Sequence, residues 1–278
     1  MINLSPNLQV FLYGFIVLIT LAGGCTPLKE ASTFALASQV AMDKAAAFDG
    51  YGRFDFCYDS VTVYNDTAIF LRQFDCDCSH GTAADTMQRH AYNIMSAYFA
   101  ALAHLADAKT VIKTTPLQSA VAAGSYGSFT ISSTEAGVFS GLATAAQDLL
   151  TNNYKSGKIK EVLQTYHDTV SLAIGTLMTL IRISKDLIRV MSIRFKGRMD
   201  TLVSKAESPG VRLALVSLYR EKVLRWQLAV ADDDRLYGAL EKVREGHEAL
   251  FQGASHLQEE SLRKKVLGLA QNIIYLSQ

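Results

Sequence analysis

The chain has 278 residues, of which 49% are hydrophobic, 19% charged and only four proline, a balance that excludes a disordered polymer and a many-pass membrane protein and permits long helices. Its formal net charge of +1 excludes nucleic acid as the obvious partner. The charge is uneven, however: residues 1–154 carry seven Lys/Arg against twelve Asp/Glu (−5), residues 155–206 ten against four (+6), and the remainder ten against ten (0).

Residues 10–22, VFLYGFIVLITLA, form an uncharged apolar run of 13, shorter than the roughly 20 residues a helix needs to cross a bilayer. Ala22-Gly23-Gly24-Cys25 follows directly. This junction resembles the lipobox of bacterial lipoproteins, where small residues admit a signal peptidase and the cysteine thiol then receives lipid. Two departures stand: Ala22 occupies the place usually held by a large aliphatic residue, and MINLSPNLQ contains no Lys or Arg. The resemblance implies a signal peptide at 1–24, a lipid anchor on Cys25, and residence in the bacterial cell envelope. Thr26 follows the cysteine instead of the Asp that resembles an inner-membrane retention signal, which directs the expectation to the outer membrane if the cell is Gram-negative. Were the apolar run an ordinary core helix instead, Cys25 would be a buried thiol.

In the mature chain, Thr26-Pro27 supplies an N-cap and a first-position proline, so a helix is expected from there to about Phe48. Residues 49–79, rich in Cys, Asp and aromatics, break the periodicity and read as the irregular segment. Within it, SVTVYND fits a short strand or extended loop and TAIFLRQF two helical turns. Thr82 with Asp85 marks a start for a helix carrying Met87, Tyr92, Met95, Phe99, Leu102 and Leu105 to about Val111. A short helix restarts at Thr115-Pro116, residues 124–133 read as a loop, and Ser132 with Glu135 makes a capping box for a helix to about Asn152.

Residues 158–206 give the clearest pattern. Leu163, Val170, Leu177 and Met191 fall on one heptad series, interrupted by Ser184 and Arg198, and His167, Ile174, Ile181, Ile188, Phe195 and Leu202 form another. A coiled-coil-like bundle helix follows, with Gly175 and Gly197 as places to bend. Ser208-Pro209 both ends that helix and starts a second, with Leu215, Tyr219, Trp226, Ala229, Leu236, Leu240, Val243 and Leu250 on its apolar stripe. The two should return antiparallel on each other. Ser255 with Gln258 caps a terminal helix to about Tyr275. The expected fold is therefore all-α: an elongated helical bundle with a long antiparallel hairpin, divided as 1–24, 25–154 and 155–278, the last two forming one domain.

Three cysteines lie in the irregular segment, and in an oxidising compartment Cys57 is expected to pair with Cys76 or Cys78. Closing about 20 residues contributes roughly 3 kcal/mol by the loop-entropy model. Cys76, Cys78 and His80 are ligands suited in kind to zinc or copper, but a disulfide would consume one of them. Asp75-x-Asp77-x-Ser79 resembles the opening of a calcium loop, yet glycine comes one place late at Gly81 and Thr86 stands where the closing Glu belongs. Asp232, Asp233 and Asp234 point about 100° apart on a helix, so they read as a solvated interruption or a fresh start. His167 reads as a core histidine.

No motif for a hydrolase, metalloprotease, nucleotide-binding or di-iron enzyme is present, so no catalytic residue is assigned and no cofactor beyond the lipid is expected. The leading reading is a non-enzymatic envelope lipoprotein, a helical interaction or structural module that meets the membrane through its anchor and a protein partner through its body. A membrane-active protein resembling bundle-type pore-forming toxins is the alternative, motivated by the charge-poor residues 117–150. A metal-handling or enzymatic lipoprotein is the second alternative.

Overall fold

A computed structural model describes residues 28–47, 79–107, 121–126, 129–151 and 158–278. The anchor site Cys25, the cysteines Cys57, Cys76 and Cys78, and the signal segment lie outside them. His80 falls within a helix, but its side chain is outside the description. The expected disulfide, metal ligands and calcium-loop opening therefore all fall on residues beyond the described side chains.

The described residues are all-α apart from one small hairpin: α1 (Lys29–Ala46), α2 (Ser79–Ala106), β1 (Gly124–Tyr126), β2 (Phe129–Ile131), α3 (Ser133–Thr151), α4 (Ile159–Lys205), α5 (Pro209–Gln252) and α6 (Glu260–Leu276). The hairpin corrects the expected loop at 124–133. Gly124 pairs with Ile131, Ser125 with Thr130 and Tyr126 with Phe129, and alternation buries Phe129 and Ile131 while Thr130 faces out.

Local signals explain the helix boundaries unequally. At α3 the capping box forms as expected: the Glu135 amide donates to Ser132 Oγ at 3.2 Å, and the Ser132 amide donates back to Glu135 Oε2 at 2.9 Å. By contrast α2 starts at Ser79, three residues before the expected cap at Thr82. Ser208 precedes Pro209 at the first position of α5, but its side chain makes no capping bond; the Ala206 carbonyl accepts instead from Arg212 Nε at 2.8 Å. The terminal helix starts at Glu260, beyond the Ser255–Gln258 signal, because residues 253–259 form turns in which His256 N bonds to the Gly253 carbonyl and Glu259 N to His256.

α1 supplies the reference direction for the bundle. Its N-terminal end meets the C-terminal end of α2, with Leu28 N bonded to Ala106 O at 3.0 Å and Ser32 Oγ to Ala103 O at 3.2 Å. It runs parallel to α6, joined at one end by Glu30 and Arg263 and at the other by Lys44 Nζ and the Ser277 carbonyl. α5 runs antiparallel to it, with Gly246 under the Phe34 ring and Asp232 beside Lys44. Against α5, α4 returns antiparallel, from His167 beside Glu248 to Lys185 beside Asp234.

One core fills this body. Phe34, Met42, Tyr92, Tyr98, Phe99, Leu102, Phe139 and Leu142 are fully enclosed, and Leu163, Val170, Leu177 and Leu240 complete it from the hairpin. Alanine supplies much of the α1 and α2 interface, at Ala31, Ala35, Ala41, Ala91 and Ala103. Small side chains let the two backbones come close while their neighbours, Phe34 and Phe99, pack edge to face with centroids 6.2 Å apart.

Candidate functional site

Beyond Lys185 and Asp234, the two long helices leave the body. Twenty residues from Lys185 to Lys205, at about 1.5 Å each, carry the tip about 30 Å past the level of Asp234 and about 60 Å from the level of Leu28. Among the described residues this arm is a two-helix ribbon. A second apolar cluster of Ile188, Met191 and Ala229, with Trp226 and Val230 against it, holds its base. Further out Phe195 stacks on Tyr219 at 6.1 Å and meets Trp226 edge to face at 5.3 Å. Ile188 and Trp226 do face each other, as the antiparallel hairpin requires, and both helices run unbroken through Gly175, Gly197 and the three aspartates.

A ribbon of two helices can bury only the seam between them, so its outer edges stay wet. Ile193 on α4 and Leu213, Leu224 and Leu228 on α5 are exposed by 57–69%. The three leucines share the back of α5, because 11 and 15 residues bring a helix round to nearly the same face. Residues 187–228 hold nine Lys/Arg against three Asp/Glu, a net of +6. Among the described residues, exposed aliphatics interleaved with cations give this arm a surface suited to docking.

The seam itself changes character at the base of the arm. Ser184, the interruption in the first heptad series, is buried and hydrogen-bonds to Asp233, which is 5% exposed. Asp233 sits four residues after Ala229 and three before Leu236, on the apolar stripe of α5. The aspartate run is thus neither a solvated interruption nor a new start: Asp232 bonds to Arg235, Asp234 to Lys185, and only the middle residue turns inward. Burial drives its carboxyl up to about 6, with the charges of Asp234 and Asp232 adding to the rise and the Ser184 bond and the Lys185 charge opposing it. From α2, Tyr92 and Gln88 complete this layer; burial pushes the Tyr92 phenol up, with Gln88 bonding to it and the Asp233 charge nearby.

A second polar cluster lies in the body. His247, 1% exposed, takes a 3.2 Å hydrogen bond with Tyr98 through Nε2. Burial, and the neighbouring His167, depress it to about 3, so the ring is neutral. The half-buried His167 lies flat on Phe251 at 3.8 Å and reaches Glu248 Oε2 at 3.2 Å. The expected core histidine is therefore in place with a carboxylate partner, while His247, on the same apolar spacing between Val243 and Leu250, escaped the sequence reading. Gly246 and an aromatic wall of Phe34, Phe99 and Tyr166 enclose the pair. Nothing here resembles a nucleophile with its base.

An open cleft of about 320 Å³ lies between α1, α5 and α6, lined by Lys44, Asp232, Arg235, Leu276 and Ser277. Its cations are engaged, Lys44 by the Ser277 carbonyl and Arg235 by Asp232. Among the described residues no group of three or more His, Cys, Asp or Glu is placed to hold a metal ion. No described helix is long and apolar enough to cross a membrane. The charge-poor α3 instead buries Phe139, Leu142, Ala146 and Leu149 in the shared core and joins α4 through Glu135 and Thr176. Comparison with protein-family models, curated proteins and solved structures returns no match.

Proposed function

We propose that this chain is a lipid-anchored envelope protein that works as a helical interaction module, with the α4–α5 arm as its contact surface. The carrying observation is directional. Leu28, three residues after the proposed lipid attachment at Cys25, lies at the end of the body from which the arm points away. Three residues span at most about 11 Å. An anchor on Cys25 therefore keeps the base of the body near the bilayer and presents the arm tip about 60 Å away from the level of Leu28. Rigid helices, unlike a slack linker, hold that distance.

Lipid labelling of wild type and Cys25→Ala, followed by membrane fractionation, tests the anchor: the variant should lose both label and membrane retention. Photo-crosslinkers at Leu224 and Leu228 in intact cells test the arm. A discrete protein adduct at these positions, absent from a probe at the exposed body residue Leu267, is the expected result. Unchanged retention of Cys25→Ala, or adducts confined to Leu267, would overturn the corresponding half of the reading.

A further inference from the structure

The outward side of α5 carries a pattern that the fold of the described residues does not use. Leu213, Ser217, Arg220, Leu224, Leu228 and Ala231 follow one another at steps of four, three, four, four and three, the spacing of a coiled-coil seam, and all six are exposed. Tyr219, Trp226 and Ala229, which pack towards α4, lie on the opposite side of the helix. From Leu213 to Leu228 the row runs along α5 for about 22 Å, or about four helical turns. Its three leucines are 57–69% exposed. The arm half of α5 thus has one apolar stripe packed on α4 and a second one in water.

The charge around the row selects what can cover it. Residues 211–231 hold Arg212, Arg220, Lys222 and Arg225 against a single acid, Glu221, which Arg225 already engages. Arg220 stands within the row and makes no hydrogen bond or ion pair among the described residues. A cation at the edge of an apolar seam is complemented by a carboxylate from the opposing surface. A second copy of this chain does not supply one: laid antiparallel, Leu213 on Leu228, it would set the two copies of Arg220 side by side across the two-fold axis. A bilayer is flat, and with the anchor at the base of the body the row points along the arm, away from the membrane that holds the lipid.

We infer that the outward side of α5 is a docking seam for an acidic amphipathic helix of a partner protein, which joins α4 and α5 as the third helix of a coiled coil. The inference rests on the arm being the contact surface and names what that surface takes. The incoming helix packs aliphatic side chains, themselves spaced by three and four, between Leu213, Leu224 and Leu228, and sets Glu or Asp beside Arg220.

Two measurements on the full chain test this. In the first, a labelled three-heptad peptide with Leu at both seam positions and Glu beside them is titrated with the purified protein, against the same peptide with Lys in place of Glu. The acidic peptide should bind at least about tenfold more tightly than the basic one. Arg220→Glu should weaken its binding by about tenfold, Arg220→Lys should retain it within about threefold, and Leu224→Asp should abolish it. Both side chains are exposed in the free protein, so the unfolding midpoints of the variants should match wild type. Equal binding of the two peptides, or binding indifferent to Arg220→Glu, would overturn the inference. In the second, the adduct of a photo-crosslinker at Leu224 in intact cells is mapped to its site on the captured molecule. A partner segment of net negative charge with apolar residues at steps of three and four supports the seam. An adduct with lipid, with another copy of this chain, or with a segment lacking that pattern overturns it and leaves the arm as a contact surface. No adduct anywhere along the arm would remove the underlying reading as well.

Discussion

At the scale of single residues, the interior is decided by a few positions where shape or charge allows no substitute. A Cβ built on Gly246 would lie 2.0 Å from Phe34 Cε2, inside the closest packing of the body. Gly246→Ala should therefore destabilise the fold by about 1–3 kcal/mol, in spite of alanine's better helix propensity; chemical denaturation measures it. His247 and Asp233 pull the acid response in opposite directions. Burial holds His247 at about 3, below its ordinary 6.5, so the unfolded chain takes up the proton first and stability falls as pH drops below about 6.5. Asp233, raised from 3.8 to about 6, is protonated first in the folded state, so its contribution is present at low pH and is lost as pH rises through about 6. Each slope approaches about 1.4 kcal/mol per pH unit, and between roughly pH 4 and 6 they nearly cancel. Asp233→Asn should expose a loss of stability on acidification, and His247→Phe a gain over the same range. Denaturation midpoints across that window would show both; parallel profiles in the two variants would refute the assignment. These two residues also mark what the sequence disclosed and what it hid. Both sit on apolar spacings, and Ser184 was visible as a break in its heptad series. That the breaks at Ser184 and Asp233 meet across the hairpin is a matter of register, which only the packed pair of helices fixes.

Elements were legible where a local chemical signal coincided with periodicity. The capping box of α3 is such a case, and it does more than start a helix. Although burial opposes ionisation of Glu135, the amide and hydroxyl of Ser132 and the Thr176 hydroxyl hold its carboxyl below the ordinary range. Ser132→Ala should cost about 1 kcal/mol, measured by denaturation, because it leaves an amide at the first turn of α3 unpaired. The α4–α5 hairpin was readable from its heptads and from Pro209, which cannot continue α4. Two starts were misplaced, at α2 and α6, for one reason: Ser and Thr followed by an acidic or amide residue is common by chance, and tertiary contacts choose among the possible starts. The small β-hairpin was missed because its three-residue strands carry too little alternation to stand out among Gly and Ser. Stability should also differ along one element. The body half of α4 is covered by α2, α3 and α5, whereas the arm rests on one narrow seam. Amide hydrogens of residues 193–223 should exchange at least about tenfold faster than those of 163–181, as local openings of the arm need not disturb the core. Uniform protection along α4 would contradict this.

At the scale of the whole molecule, the pairing of α1 with α6 sets the order in which the protein can be made. Glu30 meets Arg263 and Lys44 meets Ser277, partners 233 positions apart in both cases. Local contacts such as the hairpin seam can form as soon as their helices exist, whereas contacts of such long span must wait for nearly the entire chain and carry a larger loop-closure cost. The flank of α1 that α6 covers stays open until residue 263 and those after it have been synthesised. A chain delivered across a membrane before completion would thus travel with its first helix unsealed, held back from premature compaction by the late arrival of its last helix.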